Sequence, residues 1–515
     1  MVLSILENKI NGPKSSINEV FTIKIDELIV EVYPNSVNLS NDVYFFIGKS
    51  GADKKLFMAY NKSNPTTELF AGEEKQIESG VFIKSCLMNN SNRKSLQKVF
   101  PYTVATVLGV NDSFGFGDRI GFANAGHIRS LDLGKFKPIL AQQSIRELTR
   151  TQRTADEVMD AAVWAVFQEG YKNGFGSDAD HLKTTADVDM MINAGFTMFT
   201  FDPGEHVDNE ADNYDEKKLL SVVANLPWPE LSDTFPAAER RYSGKDFKLN
   251  DSFTISVSEQ DFLRAYAKYG KAIAHIKKMF EHLKSTSSGR PFEVEVSVDE
   301  TESVTSPFEH FFFANELNRL KVQYVSLAPR FIGSFEKGID YIGDLDLFKK
   351  EYVKHLAITK YFGSYKISLH SGSDKFSVYK VIGSLHEANT HVKTAGTSYL
   401  EALRVVAAKN PLLFREIYDY CYGLYETEKL SYHVSAKLEN VKPSSEFSDA
   451  QLPDLFSSND VRQVLHVTFG KVLTDKNESG YIFKEKIIEC LKENESTHYE
   501  FLINHFHNHI KPFCE

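Results

Sequence analysis

Hydrophobic and polar positions in the middle of the chain repeat one pattern. A short apolar or alternating run ends in polar residues and is followed by a segment with helical periodicity. Eight such runs lie near residues 119, 138, 175, 196, 292, 323, 365 and 390. Strand-like runs alternating with helical segments predict parallel strands joined by helices. We therefore predict an α/β fold and favour a (β/α)8 TIM-type barrel over an open doubly wound sheet.

The flanking regions have different patterns. Residues 1–100 hold β-like runs broken by Asn, Ser, Gly and Pro, which predicts a strand-rich amino-terminal layer. The barrel is expected to occupy residues 101–410 as the catalytic domain. Residues 204–290 are charged and then amphipathic, which predicts a helical cap inserted after the fourth strand, over the barrel mouth. Residues 411–515 are expected to form a helical carboxyl-terminal extension.

The strand predicted over residues 292–300 alternates between two kinds of side chain. Its polar positions are Glu293, Glu295, Ser297 and Asp299. Its apolar positions are Val294, Val296 and Val298. Successive side chains of a strand point to opposite faces, and both faces of a parallel sheet are covered. The acidic face therefore predicts a polar barrel interior.

Composition and charge narrow the class of protein. The net charge of -11 over 515 residues argues against a nucleic-acid partner. No apolar run has the length of a membrane helix, and the apolar run at the amino terminus is too short for a signal peptide, so no membrane partner is expected. The four cysteines lack CxxC spacing, which argues against a disulfide framework and fits a cytoplasmic location. The sequence is compatible with an oligomer.

Histidines and carboxylates at the predicted strand ends are the candidate chemistry. The histidines come from three separate strands: His181, His370 and His391. Neutral imidazoles that converge from separate strands suit a divalent ion such as Zn, Mn, Co or Ni. The neighbouring carboxylates could complete the coordination sphere or act as acid and base: Asp180, Asp299 and Glu300. For each histidine alone, a hydrogen-bonded structural imidazole is the alternative interpretation.

Cationic and amide side chains near the same strand ends suggest the substrate. They are Gln143, Lys183, Arg330, Lys366 and Lys375, of which Lys375 could equally be a solvated surface residue. A metal with paired carboxylates and fixed cations fits an anionic, oxygen-rich substrate such as a sugar acid or sugar phosphate. The sequence has no GxGxxG after a strand, no P-loop and no GxSxG, which argues against dinucleotide, P-loop and serine-hydrolase sites.

Several long motifs also carry a family resemblance. They include FGFGDRIGFANAGH, AQQSIRELTRTQRT, DADHLKT, SVDETESVTSPFEH, YKISLHSGSDKFSVYKVIG and THVKTAGTSYLEALR, in this order. Over about residues 100–475 the chain resembles the tagaturonate epimerase family of bacterial hexuronate catabolism. The resemblance implies a divalent-metal-dependent epimerase that interconverts D-tagaturonate and D-fructuronate, which differ at carbon 4.

The resemblance also implies roles for individual residues. Asp180 would be the proton acceptor, and Glu300 the proton donor, with Asp299 as its rival. The metal would be held by His181, His370 and His391.

The chemistry of carbon 4 constrains the mechanism. This carbon is β to the ketone, so its hydrogen is not acidified as an α hydrogen would be. A retro-aldol route, in which the metal stabilises an enediolate, is therefore favoured. A carbonyl shift followed by α-epimerisation remains open, as do two other classes of protein: a class II type aldolase and a non-catalytic sugar-acid-binding protein.

Overall fold

The amino-terminal region is a strand-rich layer, as the sequence predicts. The computed structural model describes residues 2–11, 20–62, 64–78, 80–386 and 389–514. The strands of the layer are β1 (Phe21–Ile25), β2 (Leu28–Val32), β3 (Asn38–Ser40), β4 (Val43–Ser50), β5 (Asp53–Tyr60), β6 (Glu73–Glu78) and β7 (Val81–Cys86). Its helices are α1 (Val2–Asn11), α2 (Pro65–Glu68) and α3 (Asn90–Val99).

These strands form one antiparallel sheet in the order β1-β2-β4-β5-β7-β6, with β3 paired to β4. Side chains of β4 alternate between two cores, as the period of a strand requires. Phe45 and Ile47 belong to the core shared with the barrel, whereas Phe46 packs in a separate cluster with Leu6 of α1. The layer is thereby fixed against the barrel by one of its faces.

The first half of the barrel follows. Its strands are β8 (Ser113–Gly117), β9 (Lys137–Ser144), β10 (Gly176–Leu182) and β11 (Met198–Phe201). Its helices are α4 (Asn124–Arg129), α5 (Ile145–Thr151), α6 (Ala155–Gln168) and α7 (Thr185–Ala194). Reciprocal side-chain caps begin three of these helices, at Ser144, Thr154 and Thr184, and set where each helix starts.

An insertion separates β11 from the next barrel strand. It contains α8 (Glu216–Ala224), α9 (Phe235–Tyr242), the hairpin β12 (Lys245–Lys248) and β13 (Thr254–Val257), and α10 (Glu259–Thr286). The long helix α10 packs against α7 and α8. Its buried Lys268 pairs with Asp212 at 3.0 Å and with Glu309, a residue of the following barrel helix, at 2.8 Å. The insertion is therefore anchored along the outer helical layer.

The second half of the barrel closes the sheet. Its strands are β14 (Glu293–Val298), β15 (Ser326–Pro329), β16 (Lys366–Leu369) and β17 (Thr390–Thr394). Its helices are α11 (Pro307–Arg319), α12 (Leu345–Tyr361), α13 (Phe376–Gly383) and α14 (Thr397–Lys409). All neighbouring strands are parallel, and β17 pairs with β8, where His391 lies opposite Ser113. The predicted eight-stranded barrel is confirmed.

The position predicted for the first barrel strand is wrong. The strand is β8, with the sequence SFGFG, and not the run at 119–125. Glycine is required in β8 because a Cβ at Gly117 would lie 2.6 Å from the Ala395 Cα. The residues after it form a turn, in which the Asp118 carboxylate accepts the backbone N–H groups of Gly121 at 2.7 Å and Ala123 at 2.8 Å. The strand was not recognised in the sequence because a glycine-rich segment has the composition typical of a loop.

The carboxyl-terminal region is largely helical. It comprises α15 (Pro411–Glu428), α16 (Asn459–Val467), α17 (Phe469–Thr474), the short hairpin β18 (Lys476–Asn477) and β19 (Gly480–Tyr481), α18 (Lys484–Glu493) and α19 (Glu495–Ile510). Helices α15 to α18 share a hydrophobic core with α14, and α19 packs on α4. Among the described residues, no helix combines the length and the apolar character needed to cross a membrane.

Candidate active site

A cavity of about 380 Å³ lies at the carboxyl ends of the barrel strands. Seven of these strands, or the loops after them, contribute to its lining, and the carboxyl-terminal region adds residues 431–433 and His466. The charged residues and histidines of the lining are Arg119, Arg146, Glu147, Asp180, His181, Asp299, Glu300, Arg330, Lys337, His370, Lys393, His433 and His466. The active sites of barrel enzymes occupy this end of the fold, so the cavity is the candidate active site.

Lys393 on β17 joins three carboxylates inside the barrel. Its Nζ lies 2.7 Å from Asp178 Oδ2, 2.7 Å from Asp180 Oδ1 and 2.8 Å from Glu295 Oε1. Thr200 Oγ1 accepts a fourth contact at 2.6 Å. Burial alone would lower the pKa of Lys393, but the three carboxylates raise it well above its usual value. Lys393 is therefore a permanent cation that neutralises part of an acidic barrel interior.

His181 and Asp180 are consecutive, and both line the cavity. Neighbouring residues of a regular strand would point to opposite faces. Here the register of β10 shifts between Ala179 and Leu182, and His181 has a φ of 52° in the left-handed region. This β-bulge turns both side chains into the same space, which is a common use of bulges beside active sites.

His181, Asp299 and His370 form a group that could hold a metal ion. One ligand atom from each lies within 4.8 Å of the others. His181 Nδ1 is hydrogen-bonded to Asp180 Oδ1 at 2.8 Å, and His370 Nε2 is hydrogen-bonded to Glu295 Oε1 at 2.7 Å. The second nitrogen of each ring, His181 Nε2 and His370 Nδ1, has no hydrogen-bond partner among the described residues. A ring fixed by a carboxylate through one nitrogen, with the other nitrogen free, is the usual arrangement of a metal-binding histidine.

The donor set fits a divalent cation. His370 Nδ1 and Asp299 Oδ1 form an ion pair at 2.9 Å, and both atoms lie within 4.8 Å of a ligand atom of His181. Burial would lower the pKa of both histidines, but Asp180 raises that of His181 to about 9 and Asp299 raises that of His370 to about 10. The neighbouring carboxylates therefore stabilise positive charge at this group, and two imidazoles with one carboxylate suit Zn, Mn, Co or Ni once the ion displaces the proton from each coordinating nitrogen.

Asp299 and Glu300 take different positions, although they are adjacent. Asp299 contacts His370 and accepts a hydrogen bond from Ser297 Oγ at 2.5 Å. Glu300 is more exposed and lies 3.7 Å from His181 Nε2 and 3.7 Å from Arg146 Nη1. A second possible cation group combines His181, Glu300 and Asp202. Asp299 is thus packed into the histidine group, whereas Glu300 faces the cavity with freedom to contact a ligand.

The cavity brings together six of the residues singled out from the sequence: Asp180, His181, Asp299, Glu300, Arg330 and His370. Arg330 is held by its guanidinium against the Thr301 carbonyl and by its backbone N–H against Thr305 Oγ1 at 2.9 Å. These contacts also fix the loop that carries Glu300.

His391 and Lys366 do not reach the cavity. Both lie near the amino-terminal ends of their strands, where they meet Ser113 at the start of β8. The distance from Ser113 Oγ is 3.0 Å to His391 Nδ1 and 3.2 Å to Lys366 Nζ. Burial lowers the pKa of His391 to about 3, so it is a neutral imidazole of the barrel floor. The structure therefore gives no support to His391 as a third metal ligand.

Three further predicted contacts also lie outside the lining. Gln143 is buried on the face of β9 opposite Gln142, and Gln142 is the residue that lines the cavity. Lys183 is partly exposed and lies 3.2 Å from Glu205 Oε1. Lys375 is fully buried and donates to three backbone carbonyls at 2.5 to 2.9 Å, so it is neither a surface lysine nor a cavity residue.

Several cavity residues were missed by sequence reasoning. Lys393 follows His391 by two residues, so strand periodicity places both on the same face, and this signal could have identified it. Lys337 lies in a loop, and His433 and His466 come from the carboxyl-terminal region, where no local pattern points to the barrel. The described lining contains no residue of 204–290, the predicted cap; residues 329–337 and 431–433 border the cavity instead.

A third group of potential metal ligands lies outside this cavity, at Asp374, His505 and His509. Its carboxylate oxygens have no aligned hydrogen bond among the described residues, but both lie in ion pairs, Oδ1 of Asp374 at 3.1 Å from His505 Nε2. Arg462 Nη2 lies 2.7 Å from Asp374 Oδ2, and the Asp374 N–H donates to His509 Nε2 at 3.0 Å. We interpret this group as an ion-pair network that fastens α19 to the loop after β16.

The closed barrel, with carboxylates and a cation-compatible group at its strand ends, defines a (β/α)8-barrel enzyme. Comparison with known sequences then identifies the family. The sequence model of the tagaturonate epimerase family matches residues 33–513, and the chain belongs to this family. The resemblance drawn from the sequence motifs is thereby confirmed, and the chain is an isomerase-class enzyme, an epimerase.

Individual relatives agree with this assignment. The chain is 43% identical over 481 residues to the tagaturonate/fructuronate epimerase of Thermotoga maritima, covering 93% of this chain and 96% of the relative. The crystal structure of fructuronate-tagaturonate epimerase from Cohnella laeviribosi complexed with one glycerol has a TM-score of 0.88 and 39% identity, covering 94% of this chain and 96% of that one. The native form of the same enzyme has a TM-score of 0.88 and 38% identity, covering 99% of both chains.

Proposed function

We propose that this protein interconverts D-tagaturonate and D-fructuronate by inverting carbon 4, with the help of a divalent cation. The observation that carries the proposal is the convergence of His181, Asp299 and His370 beside the acid/base candidates in one cavity of an epimerase-family barrel. The relatives described above act on these two sugar acids by name. The substrate is thus a ketohexuronate, a small anion.

We propose His181, Asp299 and His370 as the residues that would hold the cation. This replaces His391 of the sequence-based hypothesis by Asp299, because His391 lies at the barrel floor. When bound, such a cation would supply Lewis-acid stabilisation of negative charge developing on the ketone side of the substrate. Two nitrogen donors and one carboxylate oxygen suit any of the ions Mn, Zn, Co and Ni.

Asp180 and Glu300 are the proposed acid/base pair. They lie against opposite nitrogen atoms of the same imidazole: Asp180 Oδ1 is 2.8 Å from His181 Nδ1, and Glu300 Oε1 is 3.7 Å from His181 Nε2. Epimerisation moves the oxygen of carbon 4 from one side of the carbon skeleton to the other. A carboxylate on each side can take the hydroxyl proton of one epimer and return a proton to the other.

The retro-aldol route uses these groups in order. Asp180 removes the proton of the 4-hydroxyl group, and the bond between carbons 3 and 4 breaks. The electron pair remains on carbon 3 as an enediolate, and carbon 4 becomes an aldehyde. After the aldehyde rotates, carbon 3 attacks its other face, and Glu300 protonates the new alkoxide. The substrate and its epimer have the same atoms, so no oxidant or second substrate is required.

The test is incubation of the protein with D-tagaturonate in deuterated water, followed by proton NMR. The protein is first treated with a chelator and then supplied with Mn, Zn, Co or Ni. We expect fructuronate to form only with added metal, and carbon 4 to keep its hydrogen. Absence of fructuronate with every metal would refute the proposed function, and accumulation of two three-carbon products would indicate an aldolase.

Variants test the individual roles. Asp180→Asn and Glu300→Gln preserve shape and remove one acid/base group each, so we expect kcat to fall by about 100- to 10,000-fold. Glu205→Gln is a matched control, because Glu205 is an exposed carboxylate outside the cavity lining. Normal kcat in both cavity variants would refute these assignments.

A further inference from the structure

Part of the cavity lining is cationic and incompletely paired. Arg119 donates Nε and Nη2 to Glu147 Oε1, each at 3.0 Å. Arg119 is 4% exposed, and its Nη1 has no hydrogen-bond partner among the described residues. This nitrogen is itself buried, so Arg119 adds positive charge behind the cavity wall, and direct contact with a ligand falls to other cations of the lining.

Two more cations line the same cavity. Lys337 Nζ donates to Ser371 Oγ at 2.7 Å, and within the described part of the chain no carboxylate oxygen lies within 4 Å of it. Arg146 Nη1 lies 3.7 Å from Glu300 Oε1. Burial, and then the positive charge of Arg146, lower the pKa of Lys337. The two cations therefore repel each other, and a bound anion would relieve this repulsion.

The positions of these cations match the needs of a uronate. Glu300 separates Arg146 from His181, since it is 3.7 Å from each, so the cationic wall adjoins the histidine group without being part of it. Ser371, the partner of Lys337, directly follows His370. A planar guanidinium fork and an ammonium group are the side chains that bind carboxylates best.

We propose that Lys337 and Arg146 bind the carboxylate of the substrate, with the positive charge of Arg119 behind them, and retain that end of the molecule while carbons 3 and 4 are separated. The inference rests on the proposed function. Cleavage of the ketohexuronate gives two fragments: the enediolate of dihydroxyacetone, from carbons 1 to 3, and 2-hydroxy-3-oxopropanoate, from carbons 4 to 6. Only the second fragment carries the carboxylate. It must rotate at carbon 4 without leaving, so an anchor on carbon 6 allows rotation and prevents escape.

The experiment compares two pairs of substrates in the metal-loaded protein. One pair is the uronates, and the other is the neutral hexuloses in which CH2OH replaces the carboxylate. We expect Lys337→Met to lower kcat/KM for the uronate by about 10- to 100-fold, as for loss of a hydrogen bond to a charged group, and to change that for the hexulose by less than about threefold. We also expect proton NMR to show a higher ratio of free three-carbon fragments to epimer with Lys337→Met than with the unaltered protein.

Arg146→Leu provides a second variant, because Arg146 is partly exposed and its loss should not affect folding. Lys354→Met is the matched control, since Lys354 lies on the outer helix α12 and pairs with Glu351. Equal loss on both substrate pairs, or no loss on either, in Lys337→Met and Arg146→Leu would overturn the carboxylate anchor. If the unaltered protein does not epimerise uronates at all, the proposed function is refuted. This outcome differs from refutation of the carboxylate anchor alone, in which the unaltered protein is active.

Discussion

Replacement of Lys393 by methionine tests the electrostatic centre of the barrel. The substitution keeps most of the side-chain volume and removes the described cation that contacts Asp178, Asp180 and Glu295 at the same time. Three carboxylate oxygens now within 2.8 Å of one ammonium would lose it: Asp180 would keep its contact with His181 and Glu295 its contact with His370, whereas Asp178 Oδ2 would have no described cationic partner. Loss of one partner of a buried ion pair costs about 3–5 kcal/mol, because an uncompensated buried charge is left behind.

We expect Lys393→Met to lower the free energy of unfolding by at least this amount in metal-free buffer. The measurement is urea unfolding followed by circular dichroism, with the unaltered protein in parallel. A divalent cation in the neighbouring site would offset part of the excess negative charge. The deficit should therefore shrink when metal is added, and a cation present at 100 times its dissociation constant stabilises by about 2.7 kcal/mol.

A double variant separates charge from packing. Burial raises the pKa of Asp178 to about 6, and its Oδ2 faces Lys393. In Lys393→Met/Asp178→Asn the carboxylate that has no other described cationic partner becomes a neutral amide, so we expect the double variant to be more stable than Lys393→Met alone. The reasoning would be refuted if Lys393→Met were within about 1 kcal/mol of the unaltered protein, or if Asp178→Asn lowered its stability further.

Two other predictions concern buried side chains outside the site. Lys375→Met removes three hydrogen bonds from Nζ to backbone carbonyls, so we expect a loss of about 3–5 kcal/mol in thermal or urea unfolding, with Lys354→Met as an unaffected control. An unchanged Lys375→Met would contradict the structural role given to this lysine. Burial lowers the pKa of His355 to about 4, and its Nδ1 is 2.9 Å from His310 Nδ1. The unfolded chain, with a histidine pKa of about 6.5, binds the proton first, so stability falls as the pH drops from 6.5 towards 4, by about 2 kcal/mol at pH 5 from this residue alone. His355→Gln should remove that part of the difference in unfolding free energy between pH 7.5 and pH 5, and an unaltered difference would contradict it.

The barrel could be predicted because its signals are local. The alternation over 292–300 puts Glu293 and Glu295 on the interior face of β14, and both are buried there. Register, however, decides which of two neighbours faces the cavity. Gln142 lines the cavity and Gln143 does not. Both faces of β9 are buried, so the sequence pattern does not show which of the two glutamines faces the barrel interior.

The sequence also did not predict how deep along the barrel axis each side chain lies. The two-residue period of a strand assigns a face but not a height, so His391 and Lys393 are equivalent in the pattern. Their surroundings differ completely, since His391 meets Ser113 on the floor and Lys393 meets the acidic cluster. The sequence also did not predict which residues outside the barrel strands line the cavity. His466 carries no local signal, because packing of the carboxyl-terminal region brings it to the cavity. Lys337 lies in the irregular loop after β15, where no periodicity shows which side chain turns towards the cavity.

The division of charge within the cavity links fold to chemistry. The group of His181, Asp299 and His370 suits a divalent cation, whereas the wall with Lys337 and Arg146 suits an anion. A retro-aldol cleavage by itself would make an aldolase, because nothing in the bond-breaking step requires the fragments to rejoin. Rejoining needs both fragments to be held, and in the proposed mechanism the cation group would hold the ketone side and the cationic wall the carboxylate side. On this reasoning the wall, and not the acid/base pair, determines whether the enzyme epimerises or cleaves, and the ratio of free fragments to epimer in Lys337→Met measures this directly.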